Sequence, residues 1–129
     1  MHSVATLLYS LVVVVALQSV IVPVACAADE SVIVVVKVFP TVGREDELQI
    51  RYEKQLDFLR KAEPNASFRL HRSAKSPTIF MWYERYESQA ALDSHLKLAM
   101  PAFRKEHGAT AEGLIARPSE SETYREIKQ

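Results

Sequence analysis

The chain has 129 residues, with 16 basic and 16 acidic side chains and therefore a formal net charge of zero, and 48% of its residues are hydrophobic. A balanced chain of this hydrophobicity is not an intrinsically disordered segment, and it lacks the basic footprint on which nucleic-acid binders depend. Its single cysteine excludes a disulfide framework and a zinc site built from several cysteines.

The N-terminal segment differs from the rest of the chain, because the first 28 residues contain no Lys, Arg, Asp or Glu. An apolar run at residues 4–22 is followed by Pro23 and by Ala-Cys-Ala at residues 25–27. This order is typical of a secretory signal peptide and its cleavage site. The alternative is a membrane anchor formed by the same run, because roughly 20 apolar residues span a bilayer. We expect an exported protein, secreted or periplasmic, with no stable membrane association once the leader is cleaved.

The remaining residues, 29–129, are expected to form one domain that begins with a buried strand. Residues 31–39 are rich in valine, which is typical of a buried strand, and Pro40 is expected to end that strand. Acidic residues at 45–47 favour the start of a helix, and apolar residues at helical spacing extend that helix to about residue 63. Alternating residues at 66–73 and a second run at 78–86 predict a hairpin.

The second half of the domain is expected to add helices and a final strand. Ser88 is a good N-cap for a helix that continues through residue 99. Pro101 is predicted to open a separate short helix that ends at Gly108. Residues 123–127 are predicted to form the last strand. The resulting order, β-α-β-β-α-β, is that of an α+β, ferredoxin-like domain.

The strand at residues 78–86 carries bulky side chains on both of its faces. One face holds Phe80, Trp82, Glu84 and Tyr86, and the other holds Ile79, Met81, Tyr83 and Arg85. A four-stranded sheet with helices on one side leaves its second face open, so a partner is needed to cover apolar residues there. We therefore expect a symmetric homodimer in which two sheets pack face to face.

Two segments of the chain resemble the antibiotic biosynthesis monooxygenase family of dimeric α+β barrels. They are VVVKVFPTVGREDEL, which begins at Val34, and FRLHRSAKSPTIFMWYERYESQAALDSHL, which begins at Phe68. The core of the second segment is Glu-Arg-Tyr-Glu-Ser at residues 84–88, followed by Leu92 and His95. The resemblance implies a dimeric α+β barrel. It also implies one of several activities: cofactor-free oxidation of quinols or anthrone-like compounds, haem degradation, or isomerisation of a small molecule.

A cofactor-free oxygenase needs a base that deprotonates a phenol or enol, donors that hold the oxyanion, and apolar walls that exclude water. On the resemblance, we expect His95 or Glu84 to be the base and Trp82 and Tyr86 to be the walls. Tyr83 and Arg85 are secondary candidates for substrate binding. The predicted substrate is a small aromatic quinol or phenolic, and no cofactor or metal is expected. A purely structural Glu84–His95 pair, with Trp82 in the core, is the competing interpretation of these residues.

Three alternatives to the oxygenase remain open at this stage, one of which is an isomerase of the same family. Another is a non-catalytic module that carries a small hydrophobic ligand in the same pocket. The third is a haem-degrading enzyme, since His107 lies at the position of that branch's haem ligand. However, the branch's aromatic position holds Tyr86 in place of Trp, and its Asn position holds Val36.

Overall fold

The computed structural model describes residues 30–75, 77–108, 111 and 113–127. The predicted leader or anchor lies outside the described residues, so its cleavage stays a prediction. Within the described ranges, no helix combines the length and the hydrophobicity that a bilayer crossing requires.

The described residues fold into one antiparallel four-stranded sheet with its helices on one side. In chain order the elements are β1 (Val32–Pro40), α1 (Glu45–Ala62), β2 (Ser67–Arg72), β3 (Phe80–Tyr86), α2 (Gln89–Ser94), a π-helical segment (His95–Ala99), α3 (Met100–His107) and β4 (Ile115–Arg125). The strand order is β2-β3-β1-β4, with β1 paired antiparallel to both β3 and β4. The predicted α+β, ferredoxin-like fold is confirmed.

The predicted break between two helices around Pro101 is wrong. Ser88 does cap α2, and its hydroxyl accepts a hydrogen bond from the Ala91 N–H at 3.1 Å. The helix then continues through the π-helical segment, in which the Met100 N–H donates to the carbonyl of His95 five residues earlier. A proline removes one helical hydrogen bond and crowds the preceding turn. Because the widened π turn lies directly before Pro101, the chain accepts the proline without ending the helix.

The predicted start of the last strand is also wrong, because β4 begins at Ile115 and not at residue 123. Ten of its eleven residues are exposed, so no apolar alternation marks the strand in the sequence. Pro118 is tolerated because β4 lies at the sheet edge and its pairing with β1 shifts register between Lys37 and Phe39.

The hydrophobic core lies between the sheet and the helices and consists of two clusters. One contains Val32, Val34, Leu59, Phe68, Tyr86, Leu92 and Ala99, and the other contains Val38, Leu48, Tyr52, Phe80 and Trp82. Val36 is partly buried and contacts both clusters. The core is therefore interrupted over Val36, in the middle of β1.

The second face of the sheet has no helix over it in the described part of the chain. Val35 of β1 is opposite Tyr83 of β3, and Ile33 is opposite Arg85. Ile33, Val35, Met81 and Tyr83 are all partly buried. This open face has the alternation that the sequence predicted, and it is the surface on which the expected homodimer depends.

Candidate functional site

A cavity of about 470 Å³ fills the interruption in the core. This volume lies within the range of small-molecule sites, about 300–1,000 Å³. Its floor is formed by Val34, Val36 and Val38 of β1 and by Trp82 of β3. The helices contribute Tyr52, Leu92, His95, Met100 and Phe103, and the pocket-facing side of β4 contributes Ser119, Ser121 and Thr123. The cavity thus has an apolar floor and one wall rich in hydroxyl groups.

His95 lies at the first position of the π-helical segment and is 4% exposed. Its Nδ1 atom lies 2.7 Å from Oε2 of Glu63, the residue that ends α1. Because a carboxylate only accepts hydrogen bonds, this contact places the ring proton on Nδ1 and leaves Nε2 as the basic nitrogen. Within the described residues, Nε2 has no hydrogen-bond partner, and His95 lines the cavity. A carboxylate that orients an imidazole in this way is the arrangement of a general base.

Glu84 lies beside this histidine on the helix-facing side of β3. The Tyr86 hydroxyl donates a hydrogen bond of 2.7 Å to Oε2 of Glu84, and both side chains are buried. Burial raises the pKa of the Glu84 carboxyl above its ordinary value, while the Tyr86 hydrogen bond and the charge of His95 oppose the rise. Burial also raises the pKa of Tyr86, and the charge of Glu84 adds to the rise. Glu84 lines the cavity and is therefore suited to hydrogen-bond a hydroxyl or carbonyl of a ligand.

The structure brings three of the sequence-predicted site residues to the cavity: His95, Glu84 and Trp82. The competing Glu84–His95 pair is not formed, since His95 bonds Glu63 and Glu84 bonds Tyr86. Trp82 is 3% exposed and belongs both to the core and to the cavity floor. The two interpretations of this tryptophan are therefore compatible.

The other three predicted residues lie outside the cavity lining. Tyr86 packs beneath His95, with ring centroids 5.2 Å apart, so it supports the histidine from the core. Tyr83 and Arg85 point to the open face of the sheet, where Arg85 forms an ion pair of 3.0 Å with Glu126. Their predicted substrate contacts would need a ligand on that second face.

Sequence reasoning missed several residues that shape the site. Glu63 is 32 positions from His95, and no local pattern links it to a histidine. Helical spacing predicts Tyr52 to be one of the apolar, core-facing residues of α1, yet it lines the cavity, and burial raises its pKa to about 12. The hydroxyl wall of β4 was missed because the strand itself was placed too late. The one sequence signal for this wall is a hydroxyl side chain at every second position, at Ser119, Ser121 and Thr123.

His107 does not fit a haem site in this cavity. It lines a separate cleft of about 360 Å³ and stacks on Phe103, with ring centroids 4.8 Å apart. Its Nε2 lies 3.3 Å from a carboxylate oxygen of Glu106, and its backbone carbonyl accepts from Arg51. Within the described residues, no group of three His, Cys, Asp or Glu side chains is placed to hold a metal ion.

The sequence matches the family model described as antibiotic biosynthesis monooxygenase over residues 31–109, which confirms the predicted resemblance. No protein of curated function matches it significantly.

Several solved structures share the fold. A candidate antibiotic biosynthesis monooxygenase from Caulobacter crescentus is similar, with a TM-score of 0.68, 19% identity, and coverage of 78% of this chain and 93% of that chain. Rv0793 from Mycobacterium tuberculosis has a TM-score of 0.61 and 22% identity over 77% of this chain and 97% of that chain. A conserved protein from Methanosarcina mazei has a TM-score of 0.64 and 16% identity over 78% and 96% of the two chains. At these identities the likeness concerns the fold alone.

Proposed function

The chain belongs to the antibiotic biosynthesis monooxygenase family, and we propose that it is a cofactor-independent monooxygenase that oxidises a small aromatic quinol or phenolic with dioxygen. The observation that carries the proposal is the hydrogen bond between the buried His95 and the partly buried Glu63, at the edge of a cavity with an apolar floor. A carrier needs the cavity but has no use for an imidazole whose proton is fixed by a carboxylate. Oxygen activation without a cofactor requires such a base.

An anthrone, whose reacting carbon is a CH₂ group opposite a carbonyl, illustrates the reaction. His95 Nε2 removes a proton from this carbon, which gives the enolate of the anthrone. The enolate transfers one electron to dioxygen, and the resulting radical pair joins to form a carbon–oxygen bond, which becomes a hydroperoxide on protonation. Loss of water from the hydroperoxide then leaves a quinone carbonyl. The products are one quinone and one water, and the substrate carbon supplies all four electrons.

The cavity residues and Glu63 have separate roles in this scheme. His95 is the base, and Glu63 stabilises the imidazolium that forms during proton removal. Glu84 lies where it can hydrogen-bond the substrate oxygen as negative charge develops on it. Its raised pKa favours the protonated form, which donates such a bond. Trp82 and the β1 valines exclude water from the enolate.

The proposal extends to the assembly and the location of the protein. We propose a homodimer in which the open face of one sheet covers that of a second copy, because Ile33, Val35 and Met81 remain partly exposed on it. We also propose export, on the basis of the charge-free leader at residues 1–28. An uncleaved leader would instead anchor the domain through residues 4–22.

Oxygen uptake by the purified domain, with anthrone and hydroquinones as substrates and without flavin, metal or haem, tests this function. The matched variants are His95→Ala and His95→Asn; the asparagine amide nitrogen reproduces the Nδ1 donor to Glu63 but provides no base. Both variants should bind anthrone and lose turnover, while Lys97→Ala, on the exposed side of the same segment, should behave like the wild type. Uptake that survives in both histidine variants would refute the assignment. Tight binding without enzyme-dependent uptake in the wild type would identify a carrier instead.

A further inference from the structure

The geometry points to a more specific substrate, and this inference rests on the proposed function of the same cavity. We propose that the aromatic substrate carries an anionic group, such as a carboxylate, at the end remote from the reacting carbon, and that Arg104 binds it. Arg104 lines the cavity, and its side chain is exposed at the rim.

The charged residues of the cavity are separated into two ends. Glu84 is the one acidic residue among the described residues that line it, and it lies beside His95. The basic lining residues other than His95 are Arg51 and Arg104. Arg104 follows His95 by nine positions, which corresponds to roughly 13 Å along a helix. The cavity therefore has an acid–base end and a cationic end.

Helix α1 independently places its arginine at the same cationic end. Glu63, at the end of α1, contacts His95, so that end of α1 lies beside the acid–base end. Arg51, three turns earlier, reaches the other end of the helical layer, where it donates to the carbonyls of His107 and Gly108. Two helices running in opposite directions thus bring their arginines together.

The two arginines differ in the hydrogen bonds and ion pairs that they already make. Arg51 makes hydrogen bonds of 3.3 and 2.8 Å to the last carbonyls of α3 and lies 5.6 Å from the centroid of the Phe103 ring. Its guanidinium therefore compensates the negative end of the α3 dipole. For Arg104, the described part of the structure shows neither an ion pair nor a hydrogen bond. Its neighbour Glu106 is paired with His107 instead.

The space between the two ends suits a flat ring system. The valine floor fits one apolar face, and the Ser119, Ser121 and Thr123 hydroxyls fit oxygen atoms along one edge. In a tricyclic phenolic the reacting carbon lies in the central ring, so a group on an outer ring extends from the base toward the cationic end, which is roughly 13 Å away along the helix. A flexible arginine side chain covers the remaining distance. A neutral ligand would leave Arg104 without a charged partner in the cavity.

The test compares anthrone with anthrone-2-carboxylate, which differ by one charge on an outer ring. Binding is measured by calorimetry under nitrogen, so that no turnover occurs. The wild type should bind the carboxylate about fivefold more tightly, as expected for one partly exposed charge pair. This preference should diminish at high salt. Arg104→Gln should bind the two probes with equal affinity.

Lys105→Gln is the matched control, because Lys105 is an exposed cation on the same turn of α3 that does not line the cavity. It should retain the full preference. Equal binding of the two probes by the wild type would overturn the proposal, as would a preference that persists in Arg104→Gln or disappears equally in Lys105→Gln. Oxygen uptake separates this result from the parent proposal. A carboxylate preference without uptake refutes the oxygenase alone, and uptake without the preference refutes the role of Arg104 alone.

Discussion

The Glu63–His95 hydrogen bond makes a quantitative prediction about catalysis. Its length is 2.7 Å, and the side chains of His95 and Glu63 are 4% and 16% exposed. Glu63→Gln keeps an oxygen that can accept from Nδ1 but removes the negative charge that stabilises the imidazolium. Hydrogen bonds to charged groups contribute about 1.5–3 kcal/mol and neutral ones about 0.5–1.5 kcal/mol. The variant should therefore lose about 1.5 kcal/mol of transition-state stabilisation. That loss corresponds to a decrease of about tenfold in kcat.

The effect should appear in kcat and not in KM, because Glu63 is not among the residues that line the cavity. Steady-state oxygen uptake with anthrone measures both constants. Glu53→Gln, on the exposed side of α1, is the control and should match the wild type. An unchanged kcat in Glu63→Gln would refute the reasoning. A rise in KM at constant kcat would do the same, because it would mean that Glu63 acts in binding and not through His95.

Two further predictions concern stability and assembly. Because the pKa of Glu84 is raised in the folded protein, the folded state keeps the carboxyl proton to a higher pH than the unfolded chain does. The contribution of this protonated carboxyl to stability is therefore complete below about pH 4.5 and is lost as the pH rises through the folded-state pKa. In urea titrations, Glu84→Gln, which cannot ionise, should therefore gain unfolding free energy relative to the wild type as the pH rises above about 4.5, and a difference that does not change with pH would contradict this. Met81→Asp places a charge on the open face of the sheet and should convert a dimer to a monomer in sedimentation velocity, whereas Ile50→Asp, at an exposed apolar residue of α1, should not. A wild-type monomer, or a dimer that survives in Met81→Asp, would contradict the proposed interface.

The sequence was informative wherever burial imposes a pattern on it. The valines of β1 and the alternation around Trp82 are forced by packing on the helices, so strand, face and approximate bounds were predictable. The same alternation correctly placed Glu84 on the helix-facing side of β3, near His95. For residues that pack against a core, the sequence pattern therefore predicts both the type of element and the face on which each side chain lies.

Elements and contacts without such a pattern could not be predicted. The polar, exposed β4 is held by backbone pairing with β1, which depends little on side-chain identity. The continuation of the helix past Pro101 depends on one widened turn, for which the sequence has no marker. The partner of His95 depends on how the end of α1 meets the π-helical segment. That contact is a product of tertiary packing and is visible only once the fold is known.

If the protein inserts one atom of dioxygen into an aromatic substrate, isotope labelling will detect that atom in the product. Anthrone is converted under ¹⁸O₂, and the quinone product is analysed by mass spectrometry, with His95→Asn in parallel to measure spontaneous oxidation. We expect one ¹⁸O atom in each quinone, one molecule of dioxygen consumed per quinone, and a rate that depends on His95. Unlabelled quinone, stoichiometric hydrogen peroxide, or the same rate in His95→Asn would contradict this mechanism.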